Sequence, residues 1–256
     1  FGSDPVLKLQ KAGHILSAVP GPLSITGPDQ AEQLIARPQA VAGTVVNRPF
    51  DVISGGGYIE WPAAYGPGLD FRYTPNPSRF IKILRAAGAA VLGITPERAA
   101  SDITGQYLQL TLTFTTDLRL VADGQPWDGT STVTARRVEF QDAAGARQWW
   151  WHDPAARDAA GNKVTGHFVL MPQTSPAPEG QTTFRVAVQF PLGWLAQASY
   201  PVELDPDTFL GKDIDGFITG QHSTYSTARD TATASDDSST TFTVGQAVPS
   251  DRKSVV

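Results

Sequence analysis

The side chains able to do chemistry in this 256-residue chain are sparse and scattered. Its four histidines, His14, His152, His167 and His222, stand far apart, and none belongs to an H-x-x-x-H or H-x-E pair of the kind that grips zinc. There is no cysteine, so a thiolate metal site and a disulfide framework are both excluded. No G-x-S-x-G nucleophile elbow occurs. Asp153, Asp158, Glu203 and Asp205, all near aromatic residues, are the carboxylates from which a glycosidase would be built. That chemistry needs two carboxyls held across a sugar, roughly 5 to 9.5 Å apart. Each of the four instead lies in a turn-like or edge-like context, where an acidic side chain caps or closes a loop. Asp213-Ile214-Asp215-Gly216 imitates the opening of a calcium loop but lacks the third ligand position and the later bidentate glutamate, and it reads as a turn. The expectation is no enzyme, no cofactor and no bound metal.

Aromatic residues offer a different chemistry. On a strand, Trp149 and Trp151 share one face while Trp150 takes the other. One side can then fill a core while Trp150, and separately Trp127, contacts a protein partner or stacks on a sugar ring. The alternative is that the rings are covered by the N-terminal part of the chain.

The elements that must position these residues read as strands. Leu108, Leu110, Leu112 and Phe114 alternate with Gln109, Thr111 and Thr113, and Phe184, Val186, Val188 and Phe190 alternate with Arg185, Ala187 and Gln189. Period-two patterns with one wet face belong to antiparallel sheets, not to the continuous apolar strands of a parallel α/β sheet. The 24 glycines, 20 prolines and frequent threonines favour strands and turns. We expect an all-β antiparallel sandwich whose core contains those eight alternating apolar residues, with at most short helices near residues 86–92 and 96–100. Residues 29–36 are compatible with a helical turn or two capped by Asp29.

Charge narrows the partners. The net charge is −5 and no Lys/Arg stripe is present to neutralise phosphates, which argues against nucleic acid. No apolar run approaches the roughly 20 residues of a membrane-spanning helix. No charged n-region followed by an apolar h-region is visible.

The segment Trp194-Leu195-Ala196-Gln197-Ala198-Ser199-Tyr200-Pro201-Val202-Glu203-Leu204-Asp205-Pro206 resembles the closing strand, W-L-x(4–5)-[YF]-P-V-x-[IL]-D-P, of the N-terminal β-domain in modular bacterial proteins of the Rhs and wall-associated type. Similar segments occur in phage-encoded structural proteins. Tyr200, Val202 and Leu204 alternate with Pro201, Glu203 and Asp205, as on a strand with one buried face, and Pro206 withholds its amide from any ladder. Further back, residues 58–73 resemble the family's strand, aromatic turn and G-x-D-[LF]-x-Y. Residues 80–84 resemble its apolar strand with one lysine. Residues 123–127, 138–145 and 154–161 resemble turn segments between strands. His222 to Gln246, rich in Ser, Thr and Asp, resembles the start of a DNRLRE-like β-sandwich module.

The resemblance spans about residues 50–210 and implies no catalytic residue. It divides the chain into an extended arm (1–49), a β-sandwich module (50–206), and a linker with an incomplete second β-module or partner-completed arm (207–256). It implies a structural module of a long virion-associated protein, such as a phage tail or fibre component, that anchors and presents downstream modules. Alternatives are a carbohydrate-binding or adhesion module, or the leader domain of a bacterial surface or toxin-delivery protein. Expected partners are other copies of the chain or other virion or surface proteins, and glycan in the second reading. The arm reads as strands and loops laid on a larger body or a neighbouring subunit; since neither it nor the C-terminal segment shows enough apolar periodicity for a core of its own, both are expected to pack on neighbouring copies or other components.

Overall fold

The computed structural model describes residues 7–11, 13–27, 30–47, 57–75, 79–172, 179–205, 208–209, 246–248 and 251–253. In chain order the first strands are β1 (Leu7–Lys11), β2 (His14–Gly27), β3 (Gln30–Ala36), β4 (Thr44–Val46), β5 (Tyr58–Trp61), β6 (Leu69–Pro75) and β7 (Arg79–Ala86). A 3-10 turn (Ala89–Leu92) and helix α1 (Pro96–Ala99) follow, with the Thr95 hydroxyl accepting from the amide of Arg98 as N-cap. Then come β8 (Tyr107–Thr116), β9 (Arg119–Ala122), β10 (Gln125–Pro126), β11 (Val133–Ala135), β12 (Val138–Gln141), β13 (Arg147–Trp151), β14 (Ala155–Arg157), β15 (Lys163–Thr165), β16 (His167–Met171) and β17 (Thr182–Pro191). Helix α2 (Leu192–Gln197), β18 (Val202–Asp205) and β19 (Thr208–Phe209) complete this unit. Separately, β20 (Gln246–Val248) and β21 (Asp251–Lys253) pair as a hairpin in the second compact unit.

The strands form an all-β, antiparallel sandwich. One sheet runs β1-β2-β8-β17-β16-β11, with β3 also paired to β2. The other runs β10-β9-β12-β13-β19-β7-β18-β14-β15, and β6, β5 and β4 extend it from the second edge of β7. The two expected alternations lie side by side: Phe114 faces Phe184, Leu112 faces Val186, Leu110 faces Val188 and Leu108 faces Phe190. All eight are buried in one apolar layer. Burying side chains of this size is worth about 1.5 to 3 kcal/mol each, so the layer is a substantial part of the core. The facing sheet contributes Phe140, Trp149 and Trp151. The Trp151 ring lies 4.4 Å from Phe114, 4.6 Å from Phe140 and 5.5 Å from Phe168, centroid to centroid.

Several expectations are corrected here. Residues 30–36 are strand β3 instead of helix, because their amides complete the ladder along β2 from Leu23 to Gly27; Asp29 lies outside the described residues. Residues 14–27 are not an arm awaiting a partner. They form an interior strand between β1 or β3 and β8, with Leu16, Ala18, Leu23 and Ile25 buried in the shared core. Their period-two signal is broken in the sequence by Pro20-Gly21-Pro22, where the β2–β8 register shifts. Trp194 to Gln197 belong to a helix, not to the closing strand, since Leu192 and Leu195 at a three-residue spacing both reach the core. The strand proper begins at Val202, after a cis Tyr200-Pro201 bond. Segments 138–145 and 154–161, expected as turns, each carry a strand, β12 and β14, before the turn. Lys82, the one lysine of its apolar strand, stands opposite Tyr73 and is buried with it.

Candidate functional site

Trp127 follows a hairpin built for tightness. Asp123 and Gly124 both have positive φ, 46° and 80°, as a two-residue type I′ turn requires, and glycine accepts that region without strain. The Asp123 carboxylate accepts from the amides of Arg136 and Arg137 and fastens the turn to the start of β12. Beyond β10 the amide of Trp127 donates to the carbonyl of Leu120 at 2.9 Å. Asp128 then turns the chain by accepting from the amide and hydroxyl of Thr130, at 2.9 and 2.7 Å. The Thr130 amide is the main reason the Asp128 carboxyl is held below its ordinary value.

Trp127 is thereby fixed as a half-buried wall. Its indole Nε1–H donates to the Ser131 carbonyl at 2.9 Å, and its ring meets Phe184 edge-on at 6.0 Å. It borders a cleft of about 280 Å³ that Arg119, Asp128, Gln141, Thr182 and Phe184 also line. Arg119 is held by two carbonyls of the turn after β12, those of Asp142 and Ala143, at 3.0 and 3.2 Å. Gln141 lies at a register shift between β12 and β13, the kind of irregularity that re-aims a side chain, and its Nε2 donates to Glu139 at 2.8 Å. A wider depression of about 420 Å³, lined by Asp102, Tyr107 and Gln197 among others, lacks such an aromatic wall held from two sides.

Trp150 is placed differently from the expectation. It does occupy the face opposite Trp149 and Trp151, yet it is 2% exposed. The Arg147 guanidinium lies 4.5 Å over its ring, a cation–π cap, and Arg147 itself pairs with Glu139. The pleat therefore orients Trp150 as anticipated, but the cap removes it as a contact surface. Of the two tryptophans singled out, Trp127 alone borders an opening.

The four carboxylates do not line that cleft. Asp153 makes a two-pronged pair with Arg136 at 2.9 Å on both arms. Asp158 accepts from Asn162 at 2.8 and 2.9 Å and from the Ser199 amide at 3.1 Å. Glu203 lies 3.9 Å from Arg72, and Asp205 stands in register with Ala155 on β14. Among the histidines, His14 bonds Asp117 at 2.7 Å, His152 accepts from the Asp153 amide, and His167 bonds Gln189 at 2.8 Å. No cluster of three metal-ligating side chains exists among the described residues. His222, the 213–216 turn and most of the Ser/Thr/Asp-rich segment lie outside the described residues.

Two features escaped sequence reasoning. Ser250 and Lys253 have the spacing of a Ser-x-x-Lys nucleophile pair. That pair works on a helix, where residues three apart share a face, whereas Asp251–Lys253 is a strand. The second feature is a polar row across the outer face of the seven-stranded sheet. The Ser24 hydroxyl donates to Glu32 at 2.6 Å, Gln109 Nε2 to Glu32 at 3.4 Å and Gln189 Nε2 to Gln109 at 2.6 Å. Since Gln189 offers its carbonyl oxygen to His167, the His167 Nε2 must carry a proton. Ser24, Gln109, Gln189 and His167 are direct cross-strand neighbours, which only strand register reveals.

No protein-family model, curated protein or solved structure matches this chain.

Proposed function

We propose that this chain is a non-enzymatic structural module of a long virion-associated protein, such as a phage tail or fibre component, that anchors and presents downstream modules. The observation that carries this reading is where the chain leaves the sandwich. β18 is flanked by β7 and β14, and β19 by β7 and β13. The exit segment therefore lies inside the larger sheet, and tension on the residues after Phe209 loads hydrogen-bond ladders on both sides instead of peeling an edge strand. That is the geometry an anchoring module needs. The Trp194 to Pro206 boundary resemblance supports the same reading, as does the use of Asp153 and Asp158 in pairs and turns.

The reading is tested by immunogold electron microscopy of native assemblies with an antibody to the folded unit, together with a panel of glycan and ester substrates. Labelling of virion or cell-surface structures and no turnover are expected. Turnover that disappears in Asp158→Asn or Asp205→Asn would replace the structural reading with an enzymatic one. A bacterial surface or toxin-delivery module would share the anchor, and particle labelling separates it from the viral case.

A further inference from the structure

We propose that the Trp127 cleft is a binding site for a single neutral sugar ring. This goes beyond the anchoring role and does not depend on it. Three observations converge. The aromatic wall is rigid before any ligand arrives: the indole is held by the Ser131 carbonyl and by Phe184, so presenting its surface costs little side-chain entropy. The polar groups are equally fixed. Arg119 is clamped by two carbonyls and Asp128 by Thr130, and each keeps unused capacity, since a guanidinium has five donors and a carboxylate about four acceptor positions. Gln141 adds a carbonyl oxygen whose amide partner is already committed to Glu139.

A cleft lined by an aromatic ring and by donors and acceptors suits a ligand with one apolar face and hydroxyls around its rim, each able to donate and accept. A pyranose is such a ligand. Charge excludes the obvious competitor: Arg119 and Asp128 border the same opening and offset one another, so a phosphate or sulfate gains little there. Size sets the extent. At about 280 Å³ the cleft falls just under the usual range of small-molecule sites, roughly 300 to 1,000 Å³, and takes one ring instead of a chain laid lengthwise. Arg119, Gln141, Thr182 and Phe184 come from β9, β12 and β17, which span both sheets, while Trp127 and Asp128 stand on the loop after β10 that the Leu120, Ser131 and Thr130 bonds hold in place.

The test is saturation-transfer NMR on the full chain with methyl glycosides of glucose, galactose, mannose and N-acetylglucosamine, and with the methyl glycoside of N-acetylneuraminic acid as an acidic arm. At least one neutral glycoside should bind with a dissociation constant of about a millimolar, as a dozen heavy atoms allow. Trp127→Ala should weaken it at least tenfold. Because Trp127 also packs on Phe184, Asp128→Asn serves as the second variant: asparagine makes the same turn but removes the charge. It should weaken binding about fivefold or more while the chain still unfolds in one cooperative transition, checked by circular dichroism at the temperature of the binding measurement. No transfer to any neutral glycoside, binding of the acidic one alone, or binding undiminished in both variants would overturn the proposal.

Discussion

Asp158 and Ser199, 41 residues apart, hold one another at both ends: the Asp158 carboxylate accepts from the Ser199 amide at 3.1 Å, and the Ala159 amide returns a bond to the Ser199 carbonyl at 2.8 Å. This clamp joins the β14–β15 turn to the link between α2 and β18, just before the chain enters the larger sheet.

Removing the clamp should loosen that entry. The hydrogen bonds from Asn162, then those from the Ser199 amide, hold the Asp158 carboxyl below its ordinary value near 3.8. A carboxyl depressed in the folded state contributes stability that is fully present above its unfolded value and is lost as the pH falls through its folded one. Asp158→Ala should therefore lower the melting temperature at pH 7, with the gap from the natural chain closing below about pH 4. A constant gap down to pH 2, measured by circular dichroism, would show that the carboxylate's charge is not what matters.

The Trp151 ring is buried among Phe114, Phe140 and Phe168 at the join between the sheets. Trp151→Ala should cost about 3 to 5 kcal/mol in urea unfolding. Leu112→Asp, which buries a charge opposite Val186, should leave no cooperative transition at all.

The polar row on the outer sheet face makes a pH-dependent prediction. Burial holds His167 below its ordinary value of 6.5, partly offset by its bond to Gln189. A histidine depressed in the folded state contributes stability above its unfolded value that is lost as the pH falls through the folded one. The melting temperature should fall below about pH 6.5 more steeply in the natural chain than in His167→Gln. In the same row, Gln109→Ala removes the acceptor of Gln189 and should cost about 1 to 3 kcal/mol.

Because β2 is interior, its amides on either side of the Pro20-Gly21-Pro22 break, Leu16 to Val19 and Leu23 to Ile25, should exchange with solvent as slowly as those of β8. A chain trimmed to residues 50–206 should fail to fold, having lost strands β1 to β4 and β19 and the buried side chains of Leu16, Ala18, Leu23 and Ile25. Rapid exchange across β2 in mass-spectrometric measurements, or a stable trimmed chain, would contradict the observed pairing.

What the sequence determined by itself was the fold class and much of its core. Clean two-residue alternation in β8 and β17 dictates which side chains point inward, because a strand's pleat leaves no other choice. The same rule placed Trp149 and Trp151 on one face and Trp150 on the other. Only the tertiary structure decided what covers each face. Arg147, four positions before Trp151, caps Trp150 and closes it, while the Asp123-Gly124 hairpin and the Asp128 turn leave Trp127 bordering an opening. Strand membership of residues 14–27 and 30–36 was hidden for a related reason. The β2 ladder is with β8, 80 or more residues away, and a local pattern interrupted by Pro20 and Pro22 carries no record of that partner; β3 in turn is strand because it pairs back on β2.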